Sequence, residues 1–258
     1  MDQKKKRLTK KIISLNIDLV KYNEALTIII EKSKNRIPGY VCFANVHMII
    51  EAHKNKTFCD QVNRATLVLP DGMPVVNALY SFYRQSQERI AGMDAFPDLL
   101  RLSEISNLQV FFFGTSNGLL ERIRIKTQTE FPTLKIAGLF SPPFEKSIDD
   151  ENYINRINSS GAQLVFVALG CPKQEKWMAD HSNKINAMLL GVGGAFPVYA
   201  GITKRAPMWM RKFSLEWLFR LSQEPNRLFR RYLIYNTLFM YLTLKLKWLG
   251  KFQNSRRN

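Results

Sequence analysis

Several features are scarce in this 258-residue chain, and each scarcity closes a route to function. There are three cysteines, Cys42, Cys59 and Cys171, odd in number and widely spaced, with no CxxC pair and no Cys/His cluster. Neither a disulfide framework nor a structural zinc site is expected, and each cysteine reads as a small buried apolar residue. GxxxxGK[ST] is absent, which excludes a P-loop; GxSxG and HExxH are absent, which leaves serine-hydrolase and zinc-protease chemistry without support. The basic start MDQKKKRLTKK is not followed by the apolar run that a secretory signal requires. The longest uncharged stretch, residues 186–203, carries four glycines and reads as buried core, while the apolar stretch 232–244 has 13 residues and is too short for a bilayer span. A cytoplasmic protein without a transmembrane helix is expected. Acidic residues are also few, 21 against 38 Lys and Arg, for a formal charge of +17.

What is present describes a folded protein. A hydrophobic fraction of 46% and an aromatic fraction of 12% over this length suffice for one large α/β domain or two small ones. Short continuous apolar runs at 109–113, 134–139, 163–169 and 187–190 alternate with helical spacing at 119–131, 151–159 and 173–184. Strands apolar on both faces and alternating with helices predict a parallel sheet covered on both sides, Rossmann-like once right-handed crossovers are imposed. The first hundred residues add strands at 41–44 and 66–69, helices at 46–56 and 74–82, and a hairpin or edge strand within 12–20, with Asp94 a candidate helix cap. The character changes near Arg205, which divides the chain into an α/β catalytic domain, 1–204, and a helical basic appendage, 205–258. Helices are expected at 215–221 and 226–249. The second carries Leu228, Tyr232, Tyr235, Leu238, Phe239, Leu242 and Leu246 along one side. Such a stripe is usually core. From position 220 onward there are nine Lys/Arg against one acid. Those flanks and Trp248 turn the reading toward a helix lying on a membrane.

Ligands of α/β sheets bind at the carboxyl ends of the strands. The expected ends are Asn45, Asp71-Gly72, Gly114-Thr115, 141–143, 170–175 and 191–194. Gly191–Phe196 misses GxGxxG, since Phe stands where the last glycine belongs. Its glycines either let a phosphate or ribose approach or simply make a tight turn. Asp71 in Pro-Asp-Gly is either a turn residue or a carboxylate able to take a proton from a hydroxyl nucleophile. Pro172-Lys173-Gln174 opens a helix, where Lys173 and Gln174 can donate to a diphosphate or a sugar; the plain alternative is a helix start with proline near its first position. Arg89 alone reads as a surface residue, and His47 and His53, six apart, as ordinary helix residues.

Taken together, FANVHMIIEA, LVLPDGMPVV, ERIAGMD, VFFFGTSNG, VALGCPKQEKWMADH, GVGGAFPVYAGITKRAPMWM and LEWLFRLSQEPNRLFRRY resemble the WecG/TagA/CpsF glycosyltransferases in order and spacing, over roughly residues 12 to 240. The resemblance implies transfer of a sugar from a UDP-sugar to a polyprenyl-diphosphate-linked sugar. It implies inversion at the anomeric carbon without metal or other cofactor, in line with the absence of DxD. The implied sugar is of N-acetylmannosamine or N-acetylmannosaminuronic acid type, or another hexose or uronic acid, and teichoic acid, capsule or exopolysaccharide are the implied products. It makes Asp71 the candidate base, and Asn45, Arg89 and Gln174 donor- or acceptor-binding residues. Gly114, Gly193, Gly194 and Phe196 lie where the nucleotide is expected; Lys173 and Arg205 complete the substrate set. Arg220, Arg227, Arg230 and Arg231 are implied to meet the lipid diphosphate from a membrane-targeting appendage on the inner face of the cell membrane. A homo-oligomer is compatible with this reading. One departure stands out: many members have Thr-x-Asn where this chain has Phe43-Ala44-Asn45, which leaves the transferred sugar open. Two other classes compete. Charge alone suggests a nucleic-acid-binding protein, and the sheet suggests a nucleotide-dependent oxidoreductase, against which the broken glycine pattern counts. The family reading predicts no nucleic-acid partner.

Overall fold

The computed structural model describes residues 7–143, 150–212 and 215–250. In chain order the elements are β1 (Thr9–Ile12), β2 (Leu15–Asp18), α1 (Tyr22–Lys34), β3 (Gly39–Ala44), α2 (Val46–Lys54), α3 (Lys56–Asn63), β4 (Leu67–Pro70), α4 (Met73–Tyr83), α5 (Gly92–Ile105) and β5 (Gln109–Gly114). They continue with α6 (Asn117–Glu130), β6 (Lys135–Phe140), α7 (Asp150–Ser159), β7 (Leu164–Ala168), α8 (Lys173–His181), β8 (Met188–Gly191), α9 (Ala195–Tyr199), α10 (Met208–Lys212), α11 (Glu216–Gln223) and α12 (Pro225–Trp248). Six strands form a parallel sheet in the order β4-β3-β8-β7-β5-β6, while β1 and β2 make a separate antiparallel hairpin.

The apolar runs read as two-faced strands are two-faced. On β5, Phe111 and Phe113 belong to one core layer, and Val110 and Phe112 to the other. The first layer is closed by α2, α3, α4, α7, α8 and the hairpin, the second by α1, α5, α6 and α9. This alternation of side chains is what a strand covered on both sides requires. The second layer holds an aromatic cluster in which Phe96 meets Phe112, Phe166, Phe196 and Tyr199, with ring centroids 4.8–6.1 Å apart.

Four local expectations need correction. The helix expected over 46–56 breaks at Asn55, whose Oδ1 accepts from Phe58 N–H at 2.9 Å and so caps α3. Asp94 does not cap α5: Ala91 holds that position, and the Asp94 carboxylate turns to arginines instead. The short helices α9 and α10 fall in segments read as buried core and as a break. The fourth concerns α12, whose expected membrane stripe faces the body. Leu228 is buried (0% exposed), and Phe239 (5% exposed) joins the first core layer with Tyr235, Leu238, Leu242 and Leu246 packed against it. Tyr235 donates its hydroxyl to Glu51 of α2. The side of α12 that meets solvent carries a different apolar set, including Phe229, Leu233, Met240, Leu244 and Trp248. No helix among the described residues is long and apolar enough to cross a membrane.

Candidate active site

Parallel pairing of β3 and β4 sets Ala44 opposite Pro70, so the next residues, Asn45 and Asp71, emerge side by side at the carboxyl end of the sheet. Asp71 N–H donates to Ala44 O at 2.9 Å, and Ile90 N–H donates to Pro70 O at 2.9 Å, which pins both the aspartate and the chain leading away from Arg89. Asn45 caps α2, its Oδ1 accepting from Met48 N–H at 3.1 Å. That engages the oxygen in the cap, and Asn45 also lines the cavity. Burial pushes the Asp71 carboxyl up to about 6 from its ordinary 3.8. Of the charges around it, Arg89 and Arg220 pull it down while Glu216 and Asp94 push it up.

These residues open onto one cavity of about 920 Å³. It brings together Asn45, Asp71, Arg89, Gln174, Gly193, Gly194, Arg220 and Arg231. The glycines, however, make room for protein side chains. A Cβ at Gly193 would stand 2.9 Å from Gln174 Oε1, one at Gly191 would stand 2.7 Å from Met178 Cε, and one at Gly194 would stand 3.3 Å from Arg220 Nη2. Gln174, 5% exposed, spends its NH2 on Glu175 Oε1 at 2.6 Å and Gly191 O at 3.2 Å. It is therefore braced beneath the loop; donating to a diphosphate, as expected of it, means breaking those bonds. Glu175 is fully buried there, and burial raises its carboxyl to about 7.

The remaining residues lie elsewhere. Gly114 is outside the cavity lining: with φ 109° and a Cβ position that overlaps the Ala168 carbonyl, it serves close strand packing. Phe196 is fully buried in the aromatic cluster. Lys173 and Arg230 are exposed away from the lining. Arg205 pairs with Asp94 outside the lining, and the side chain of Arg227, on α12, lies outside the described residues.

Sequence reasoning missed several contributors. Arg89 Nη1 meets Glu216 Oε2 at 2.9 Å and its Nη2 meets Asp94 Oδ2 at 2.9 Å. Asp94 also pairs with Arg205 and approaches Arg211 Nη1 at 3.9 Å. Among the described residues, Arg220 and Arg231 have no acidic partner. With Lys247, which also lines the cavity and has no acidic partner among the described residues, they are cations left to meet an anion. His47 is no ordinary helix residue. It lines the cavity edge-on to Tyr235 (centroids 4.6 Å), and burial, helped by Arg231, lowers it to about 4 and keeps it neutral at pH 7. The lining also includes Ala78 and Phe82 of α4 and Phe239, Met240, Leu244 and Lys247 of α12. All three cysteines are free thiols: Cys42 is buried as expected, whereas Cys59 and Cys171 are partly exposed. No group of three or more His, Cys, Asp or Glu among the described residues could hold a metal ion.

Known proteins resemble this chain over most of its length. Over 209 residues, covering 81% of this chain and 80% of the relative, it is 29% identical to an N-acetylglucosaminyldiphosphoundecaprenol N-acetyl-beta-D-mannosaminyltransferase of Staphylococcus aureus (strain MW2). It is 32% identical over 194 residues, 74% of each chain, to the enzyme of the same name from Bacillus subtilis (strain 168). The profile of the Glycosyl transferase WecG/TagA/CpsF family matches residues 10–253, and the chain belongs to that family.

Proposed function

We propose that this glycosyltransferase moves a sugar from a UDP-sugar to a polyprenyl-diphosphate-linked saccharide, inverting the anomeric carbon, during cell-surface polysaccharide synthesis. The observation that carries the proposal is a single cavity holding a carboxylate of raised pKa, Asp71, together with two arginines, Arg220 and Arg231, that have no acidic partner among the described residues. In this reading the acceptor hydroxyl gives its proton to Asp71 as its oxygen bonds to the anomeric carbon. The bond from that carbon to the UDP oxygen breaks, and negative charge collects on the leaving diphosphate. A base with a pKa near 6 is mostly ionised at neutral pH and still basic enough to accept a proton. Arg220 and Arg231 meet the developing charge, a role that requires preorganised donors.

The acceptor enters along the apolar part of the lining from α4 and α12, where Phe82, Phe239 and Leu244 suit the first prenyl carbons. The relatives' names specify a diphosphoundecaprenol acceptor bearing N-acetylglucosamine and transfer of N-acetylmannosamine. The acceptor class carries over readily. The donor sugar is left as N-acetylmannosamine, N-acetylmannosaminuronic acid or another hexose, because Phe43 lines the cavity. Residues 205–258 act as the appendage that holds the enzyme peripherally on the inner face of the membrane. Support comes from the exposed apolar side of α12, exposed Trp209 and Trp217, and the nearby Lys245 and Lys247. The test is to incubate purified protein with a panel of UDP-sugars and a short-chain lipid-diphosphate N-acetylglucosamine, reading products by mass. Absence of any product across the panel overturns the proposal.

A further inference from the structure

An arginine guanidinium has five N–H donors in a rigid fork and pairs best with two acceptors at once. Arg89 lines the same cavity as Asp71, and of the charges acting on Asp71 it lowers its carboxyl most. Both of its terminal nitrogens are occupied, Nη1 by Glu216 and Nη2 by Asp94, each at 2.9 Å. Asp94 comes from α5, close in sequence, but Glu216 reaches in from α11, 127 residues away. The same helix brings Arg220 to the cavity. The charged groups acting on Asp71 are thus Arg89, Asp94 of α5, and Glu216 and Arg220 of α11. Arg205 and Arg211 meet the outer side of Asp94.

We propose that Glu216 is a positioning residue for the transfer reaction. With Asp94 it occupies both terminal nitrogens of Arg89, so the base keeps its strength only while α11 is docked. The inference rests on the reading of Asp71 as the general base. If Glu216 loses its charge, a nearby negative charge disappears and Arg89 Nη1 is released to pair with Asp71. Both changes favour the ionised carboxylate and make it a weaker base. One helix thereby delivers two things together: Arg220 for the leaving diphosphate and a poised Asp71 for the attacking hydroxyl. Without α11 in place, neither half of the site is ready.

The test uses the full chain and its Glu216→Gln, Glu216→Asp and Asp71→Asn variants. Transfer rate is followed from pH 5 to 8, and the Asp71 carboxyl carbon is titrated by 13C NMR in the free protein, assigned by its loss in Asp71→Asn. Glu216→Gln is expected to move both the acid limb of the rate profile and the NMR midpoint to lower pH. The plateau rate should fall severalfold and UDP affinity should stay the same. Glu216→Asp, which keeps the charge, is expected to titrate close to the wild type. If Glu216→Gln and Glu216→Asp titrate alike, Glu216 is only a tie between elements and the proposal fails, whatever happens to the rate. An active Asp71→Asn variant instead removes the assignment of the base, and the NMR arm still decides whether Glu216 controls the Asp71 carboxyl. Should Glu216→Gln not fold, Asp94→Asn removes the other acid of the fork and must shift the midpoint in the same direction.

Discussion

Replacing Asp71 by Asn removes one charge and almost no volume, so its effects on stability and on turnover separate cleanly. Burial raises the carboxyl from 3.8 to about 6, which means that the folded protein resists its ionisation. At about 1.4 kcal/mol per pKa unit, holding it ionised at pH 7.5 costs roughly 2–3 kcal/mol, an upper figure given its partial exposure to the cavity. The sign follows from linkage. A carboxyl with a raised folded pKa contributes stability that is fully present below about 3.8 and is lost as pH rises through about 6. Asn, always neutral, escapes that cost. Asp71→Asn is therefore expected to melt several degrees higher than wild type at pH 7.5, at roughly 2–4 °C per kcal/mol for a chain of this size. The gain should shrink as pH falls through about 6 and vanish only below about 3.8. Turnover should fall at least about a hundredfold, the lower range for loss of a general base. Differential scanning calorimetry across pH, paired with product mass spectrometry, reads both effects. A variant that melts lower and turns over normally would show that Asp71 is a turn residue whose charge the fold tolerates without cost.

Four further outcomes are expected. Chelator should leave transfer intact, because Arg220 and Arg231 meet the charge on UDP; a strict need for Mg²⁺ or Mn²⁺, seen in the same product assay, contradicts this. Gly114→Ala should lower stability by several kcal/mol, measured by urea denaturation, because its Cβ overlaps the Ala168 carbonyl at a φ of 109°; a small stability change with lost UDP binding would make Gly114 a ligand contact after all. Leu233→Glu with Trp248→Glu, both on the exposed side of α12, should abolish sedimentation with anionic vesicles while the melting temperature stays within about 2 °C, as surface substitutions do. Truncation near Arg220 should instead lower the melting temperature and promote aggregation, since it strips Leu228 and Phe239 from the core.

The covered parallel sheet was legible in the residue pattern because its strands are apolar on both faces, as the Phe111/Phe112/Phe113 run of β5 shows. The family was legible too, because seven short motifs kept their order and spacing. Pro-Asp-Gly marked Asp71 without deciding between turn and base, since the local pattern is the same for both. Only the fold decided its environment, by burying it and drawing Arg89, Glu216 and Arg220 around it from distant positions. Gly114 ends β5 and Phe196 lies in α9 just after β8, near where ligands bind, yet the backbone of a neighbouring strand and an aromatic layer claim them first. The apolar stripe of α12 was read correctly as a stripe but assigned to the wrong side. Helical periodicity states that a face is apolar; whether that face meets α2 or a membrane depends on what stands opposite it, and that information is carried by residues nearly two hundred positions away.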